Sequence, residues 1–333
     1  MSRVIFTCGD INGIGPEIAI KLFSKLFASK SKRALAFICP LNVFEYYYKL
    51  LKVDFKYHLY NNELRNGLSL NLIPLDNSKL IIGKATKDSG KAAYQSIVKS
   101  IELVKEGLAD VLVTAPISKT AFNIAGIKFP GHTELLAESE KQKKFLMMFL
   151  SKKVNAALLT IHNPLKDISS LLSKEKIIDA LDIIQKTATR DLGIQNPRIA
   201  VLGLNPHAGE NGNIGSEEKE IITPVIKLSG KRMNIAGPFV PDAFWGAKFY
   251  KQFDFVLGMY HDQVLIPFKL MNFERGVNYT AGLKIIRTSP DHGTAFDIAG
   301  KGIANETSIQ EAYRIALKIH SNRKRTIEEE KAY

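Results

Sequence analysis

A chain of 333 residues, 45% hydrophobic and 24% charged, can bury two sizeable cores and is too apolar for a disordered protein. Its formal charge of +13 invites a polyanionic partner, but the basic runs at 30–33, 141–144 and 323–325 are short and scattered, so they read as solvated surface and no nucleic-acid partner is expected. Two cysteines without CxxC spacing, Cys8 and Cys39, exclude a disulfide scaffold; no apolar run approaches the roughly 20 residues that span a bilayer, and the start lacks a signal-peptide pattern, so a cytoplasmic chain without a membrane partner is expected.

Taken in chain order, short apolar runs alternate with helical periodicity, the pattern of an α/β protein with parallel strands. VIFTC reads as the first strand. GDINGIGPEIAIKLFSKLF then begins with Gly and Pro and places Ile18, Leu22, Phe23 and Leu26 on one helical face. ALAFIC is a second strand, followed by a helix near NVFEYYYKLLK. The run SGKAAYQSIVKSIELVKEG predicts a helix capped by Ser89 and stopped by Gly107, ahead of the buried strand ADVLVTAP. FLMMFL, NAALLTIH, RIAVLGLNP and DFVLGMYHD read as further strands, with helices near KEKIIDALDIIQKTA and EEKEIITPVIKL. A last helix, SIQEAYRIALKIHSN, is expected to fray into the charged tail RKRTIEEEKAY.

Ligands of open α/β sheets bind beyond the carboxyl ends of strands, and three histidines stand there: His162 ends NAALLTIH, His207 follows VLGLNP, and His261 follows VLGMY. Neutral imidazoles so placed can converge on one divalent cation and leave coordination positions open. Any one of them alone is more often a satisfied, partly buried histidine than a ligand. HExxH spacing is absent, and so is a GxGxxG dinucleotide fingerprint. GIGPE at 13–17 can present backbone N–H groups to an anion or serve as a plain helix start, and Gly209 and Gly212 suit tight turns.

Nearly end to end, the motifs GDINGIGPE, VTAPISK, GHTELLAE, LNPHAGENG, GPFVPD, MYHDQ and GVNYTAGLKIIRTSPDHGTAFDIAGKG resemble the 4-hydroxythreonine-4-phosphate dehydrogenase family of vitamin B6 biosynthesis. That resemblance implies two α/β/α domains with a cleft between them, in the manner of isocitrate and isopropylmalate dehydrogenases. Residues 1–128 plus 290–333 would form a cofactor-side domain, and 129–289 a domain for substrate, metal and dimerisation. It implies that His162, His207 and His261 hold a divalent metal (Zn, Mg or Co) and that His132, Thr133, Lys269, Asn278 and Arg287 bind the phosphorylated substrate. Arg supplies a planar fork for phosphate oxygens and Lys a compact charge. Solvation is the plainer role for Lys269 and Arg287, although each lies beside apolar sequence.

The implied reaction is NAD- or NADP-dependent oxidation of 4-phosphooxy-L-threonine, followed by decarboxylation; a related dehydrogenase of phosphothreonate or phosphoerythronate would use the same residues. A non-catalytic phosphate or nucleic-acid binder is the reading from another class. The segment HGTAFDIAGKGIANE separately resembles the adenosine-binding loop of isopropylmalate and isocitrate dehydrogenases, which would place His292, Asp297 and Asn305 near the cofactor. Turn glycines explain that segment as well. Asp242 and Asp262 are candidates to orient a ligand or relay a proton. The family is a homodimer whose metal site draws histidines from both subunits, so His261 is expected to come from the partner. Ile11 and Asn12 stand where the family usually has Pro and Ala, which predicts a looser N-terminal loop.

Overall fold

Where the sequence is most apolar the backbone is extended and buried. The computed structural model describes residues 2–129 and 131–332. β1 (Arg3–Thr7) leads to α1 (Gly15–Ala28), β2 (Ala34–Pro40), α2 (Leu41–Leu50), β3 (Lys56–Leu59), β4 (Ser69–Leu75), α3 (Lys87–Lys105), β5 (Val111–Thr114), α4 (Lys119–Ile124) and α5 (His132–Ser139). Then come β6 (Leu146–Leu150), β7 (Ala156–Leu158), α6 (Ile168–Leu171), α7 (Lys174–Lys186), β8 (Arg198–Leu202), α8 (Thr223–Ser229) and β9 (Asn234–Phe239). α9 (Pro241–Gly246), β10 (Phe255–Gly258), α10 (His261–Asn272), β11 (Val277–Ala281), β12 (Arg287–Pro290) and α11 (Thr307–Ala332) follow.

These elements form two α/β units. The first comprises the chain up to Gln142 together with Leu283–His320. Its strands run β3-β4-β2-β1-β5-β12, all parallel, with Val4 opposite both Leu35 and Val111. Every residue of β2 is buried, as expected of a strand covered on both faces. Phe6 of β1 meets Phe23 of α1 edge to face at 5.0 Å, which seats the apolar face of that helix. α3 begins one turn earlier than its sequence suggests. Thr86 is the N-cap and Ser89 closes a capping box from the third helical position, while Gly107 ends the helix with φ +70°.

The second unit comprises Lys143–Gly282 and the chain from Ser321. Its order is β11-β6-β7-β10-β8-β9; the β11/β6 and β6/β7 pairs are antiparallel and the others parallel. Phe149, Leu158, Leu202, Phe244 and Phe268 lie in its core. The breaks fall at 142/143 and 282/283, not at 128/129 and 289/290. α5 goes with the first unit because Glu140, beyond its end, accepts the Lys284 and Ile285 N–H groups at 2.8 and 2.7 Å, and β12 pairs with β5.

The charged tail does not fray. α11 continues through it to Ala332, and Tyr333 lies outside the described residues. Arg323 donates to both oxygens of the buried Asp191 at 2.8 and 3.0 Å, and Asn322 donates to the Asp191 carbonyl. Lys324–Glu328 and Arg325–Glu329 pairs add support along the helix surface. The N-terminal loop is likewise tighter than predicted. Ile11 and Asn12 are fully buried; the Asn12 amide donates to the Lys84 carbonyl (2.8 Å) and Thr86 Oγ1 (3.1 Å) and accepts from the Ile81 N–H (2.8 Å). Three side-chain hydrogen bonds replace the stiffness that a proline would supply.

Candidate active site

In the first unit the site starts at β5 and β12. Thr114 ends β5 and Arg287 opens β12, and parallel pairing sets Arg287 opposite Leu112. The guanidinium is buried, with Nε donating to Thr114 Oγ1 at 2.9 Å. Burial lowers its pKa to about 9 despite the nearby Glu134 carboxylate, so at neutral pH it is a desolvated cation. His132 and Thr133, both buried, form the first turn of α5. Burial, and then the Arg287 charge, hold the His132 imidazole well below its ordinary pKa, hence neutral. Its Nε2 is buried with no hydrogen-bond partner among the described residues. A helix N-terminus, a neutral imidazole and a buried guanidinium together form a cradle for an oxyanion.

The loop from His292 to Asn305 lies in the same unit. Its Thr294 carbonyl accepts the Ile14 N–H at 3.0 Å, and Gly13 has no room for a Cβ, which would fall 2.7 Å from that carbonyl oxygen. Glu17 accepts the Ala304 N–H at 2.8 Å, while Lys21 bridges Glu17 to the carbonyls of Gly302 and Ala304. The GPE motif therefore anchors this loop. His292 is half-buried beside the Gly293 carbonyl, and Asp297 and Asn305 are exposed.

In the second unit, the segments leaving β7 and β10 are sewn together. The Leu159 N–H donates to the Gly258 carbonyl, and both the N–H and hydroxyl of Thr160 donate to the Met259 carbonyl, the latter at 2.6 Å. This pairing brings His162 and His261 side by side, ring centroids 6.2 Å apart, in one chain. His261 opens α10 and its Nδ1 meets Asp262 Oδ1 at 2.6 Å, leaving Nε2 for a ligand. Gln263 locks the junction, accepting from the Met259 N–H (2.7 Å) and donating to the Gly203 carbonyl (2.6 Å). α9, which carries the exposed Asp242, leans on it through Trp245 Nε1 and the Gln263 carbonyl (3.1 Å). Lys269 on α10 and Asn278 on β11 are half-buried.

His207 sits differently. Residues 207–211 all have positive φ, 52°, 50°, 76°, 41° and 58°, a left-handed turn in which only Gly209 is glycine. Each of the other four costs about 1–2 kcal/mol in that conformation. The buried Glu218 offsets this: its Oε1 accepts the Leu204 and Asn205 N–H groups at 2.7 Å each, and its Oε2 accepts from Asn205 Nδ2 at 2.9 Å. Among the described residues of one chain, no group of three His, Cys, Asp or Glu side chains is close enough to hold a metal ion.

Sequence reasoning missed Thr114, Gln263 and Glu218. The first two lie inside the motifs VTAPISK and MYHDQ, and Glu218 ends the stretch NPHAGENGNIGSEE, so the motifs flagged the neighbourhood without the contacts.

Each unit by itself carries polar side chains at its strand ends, a buried cation beside a neutral imidazole in the first and an imidazole pair in the second, as an α/β enzyme does. The chain belongs to the PdxA family, described as pyridoxal phosphate biosynthetic protein, whose profile matches residues 31–316. It is 42% identical over 328 residues to a 4-hydroxythreonine-4-phosphate dehydrogenase from Bacteroides thetaiotaomicron, spanning 97% of this chain and 90% of the relative. A protein from Oceanobacillus iheyensis, provisionally named a D-threonate 4-phosphate dehydrogenase, is 38% identical over 324 residues, spanning 94% of this chain and 96% of the relative. The crystal structure of 4-hydroxythreonine-4-phosphate dehydrogenase from Klebsiella pneumoniae matches with TM-score 0.81 and 34% identity, over 97% of this chain and 98% of that one.

Proposed function

We propose that this chain oxidises 4-phosphooxy-L-threonine to 2-amino-3-oxo-4-phosphooxybutanoate with NAD or NADP, in pyridoxal phosphate biosynthesis, and that the keto acid decarboxylates to 3-amino-2-oxopropyl phosphate. The observation that carries the reading is Arg287, a buried cation beside neutral His132 at the start of α5. A phosphate bound beside that cation would further offset the cost of its desolvation. Thr133 adds a hydroxyl, and Lys269 and Asn278 serve the same phosphorylated substrate. Asp297 and Asn305, exposed on a loop anchored by Glu17 and Lys21, together with His292, suit the adenosine end of the cofactor.

His162 and His261 fit a divalent ion: imidazole nitrogens suit Zn and Co, and Asp262 orients one ring. A divalent ion held there would supply Lewis-acid stabilisation of negative charge on the substrate's oxygen, and NAD(P) would be the hydride acceptor. Asp242 and Asp262 stand near the histidine elements as carboxylates able to take up a proton.

Because His261 lies beside His162 in one chain, it is not, as the sequence suggested, the donor the partner supplies; the third donor is His207 of a second copy. Supporting this, no three donors gather among the described residues of one chain, and the helix that presents His261 exposes Ile266 and Leu270, at 58 and 84%, with Phe273 just beyond its end at 72%. Mixed His162→Ala and His207→Ala chains then regain activity in hybrid dimers, whereas His162→Ala with His261→Ala does not. No recovery from the first mixture despite proven subunit exchange would refute the shared site. Buried, unbridged Cys8 and Cys39 suit the reducing cytoplasm.

The Oceanobacillus relative favours one second reading, oxidation of D-threonate 4-phosphate. Steady-state kcat/KM on both substrates separates the two, with at least a tenfold preference for the amino acid expected; preference for the acid lacking the amino group overturns the assignment.

A further inference from the structure

The turn that carries His207 is disfavoured along its whole length, with four residues besides Gly209 held at positive φ. A strained loop persists only where its surroundings over-determine it. The surroundings here converge on one carboxylate. Glu218, buried, takes the Leu204 and Asn205 N–H groups and the Asn205 amide, fixing the two residues at which the chain leaves β8 for the turn. Glu217 accepts from the same amide at 2.7 Å, so Asn205 is clamped between neighbouring acids. The turn is also moulded around Glu218. A Cβ on Gly209 would lie 2.5 Å from Glu218 Oε2, and one on Gly203 would lie 3.0 Å from both Ala208 Cβ and Glu218 Oε1. Gly215 is equally constrained, its Cβ position falling 2.2 Å from Asn205 Nδ2.

Glu218 thus takes two backbone N–H groups and one side-chain amide at the entry to the turn, from a buried position that the turn closes over. We propose that Glu218 is a positioning residue for the metal: through Asn205 and the left-handed turn it holds His207 in the orientation a shared ion needs. It is not itself a ligand. The inference rests on the reading of His207 as a metal donor. In metal enzymes, groups that orient a ligand from behind typically influence affinity by about 10- to 100-fold.

The test uses full-length, metal-stripped protein and Co2+ alone, with dissociation constants from equilibrium dialysis and stability from urea titration of the metal-free form. Glu218→Gln keeps one acceptor oxygen but turns an NH2 group toward the Asn205 amide and removes the charge. It is expected to weaken Co2+ binding about 10- to 100-fold. Adding Ala208→Gly, which adopts φ near 50° without steric cost, is expected to recover part of that loss. A purely structural Glu218 gives a different result: a lower urea midpoint, unchanged Co2+ affinity in the folded protein and no recovery from Ala208→Gly, which would overturn the proposal. Should Glu218→Gln not fold, Asn205→Ala replaces it, with a several-fold loss expected and unchanged affinity contradicting the inference. His207→Ala separates the two levels. Wild-type affinity there refutes the metal reading itself, while loss in His207→Ala without loss in Glu218→Gln refutes only the role of Glu218.

Discussion

Replacing Arg287 by methionine should make the protein more stable and a worse enzyme. The guanidinium is 3% exposed, and its pKa near 9, against 12.5 for an ordinary arginine, means that keeping it charged at pH 7 costs about 5 kcal/mol. Methionine of similar reach removes that cost but withdraws the donor from Thr114 Oγ1 and the attraction to Glu134, so the net gain expected is about 1 kcal/mol. Binding moves the other way. Two charge-assisted hydrogen bonds to phosphate, about 1.5–3 kcal/mol each, are lost, which lowers kcat/KM by roughly 10²- to 10⁴-fold. Urea titration with and without inorganic phosphate checks both halves: phosphate should stabilise the wild type and leave Arg287→Met unaffected. A variant that is less stable, with kcat/KM within threefold of wild type, would show that Arg287 is a structural cation.

Burial lifts the Asp10 carboxyl to about 6, above the 3.8 expected when unfolded, so the fold favours the protonated form. Its contribution to stability is then fully present below pH 3.8, is lost by about 3 kcal/mol as pH rises through 6, and is constant beyond; Asp10→Asn should remove that component from urea titrations between pH 4.5 and 7.5. A Cβ on Gly258 would lie 2.1 Å from Val264 Cγ2 at the turn into α10, so Gly258→Ala should cost about 1–3 kcal/mol and displace His261, measured as Co2+ bound per chain. Arg323→Met leaves Asp191 with Arg190 and Tyr279 as partners and should lower stability by about 3 kcal/mol in urea, whereas a loss under 0.5 would mean that α11 is held by its apolar face alone.

Several strands were legible because buried parallel strands read as continuous apolar runs: VIFTC, ALAFIC and DFVLG are β1, β2 and β10 with small shifts at their ends. β3, β4, β9, β11 and β12 were not: the edge strand KYHL exposes most of its side chains, and SLNLIPL, VNYTA and RTSP interrupt their apolar runs with polar residues or proline although they are largely buried. The histidines were visible one at a time. Their relation was not, because the 6.2 Å approach of His162 to His261 depends on hydrogen bonds between segments about 100 residues apart. Charge misled at the carboxyl terminus, where RKRTIEEEKAY looks solvated although Arg323 is committed to a buried aspartate. It also hid Glu218, which in sequence is one acid of a polar run and in the fold is the floor under a left-handed turn. Asn12 shows the converse: a departure from the family's usual loop that reads as slack is a set of buried hydrogen bonds.

The account stands or falls on metal-dependent oxidation of a phosphorylated hydroxy amino acid. The most direct measurement is NAD(P)H formation from 4-phosphooxy-L-threonine by chelator-treated enzyme, before and after adding Zn2+ or Co2+. The expected result is no turnover in the stripped protein and recovery on adding the ion. Undiminished turnover in verified metal-free enzyme would contradict it.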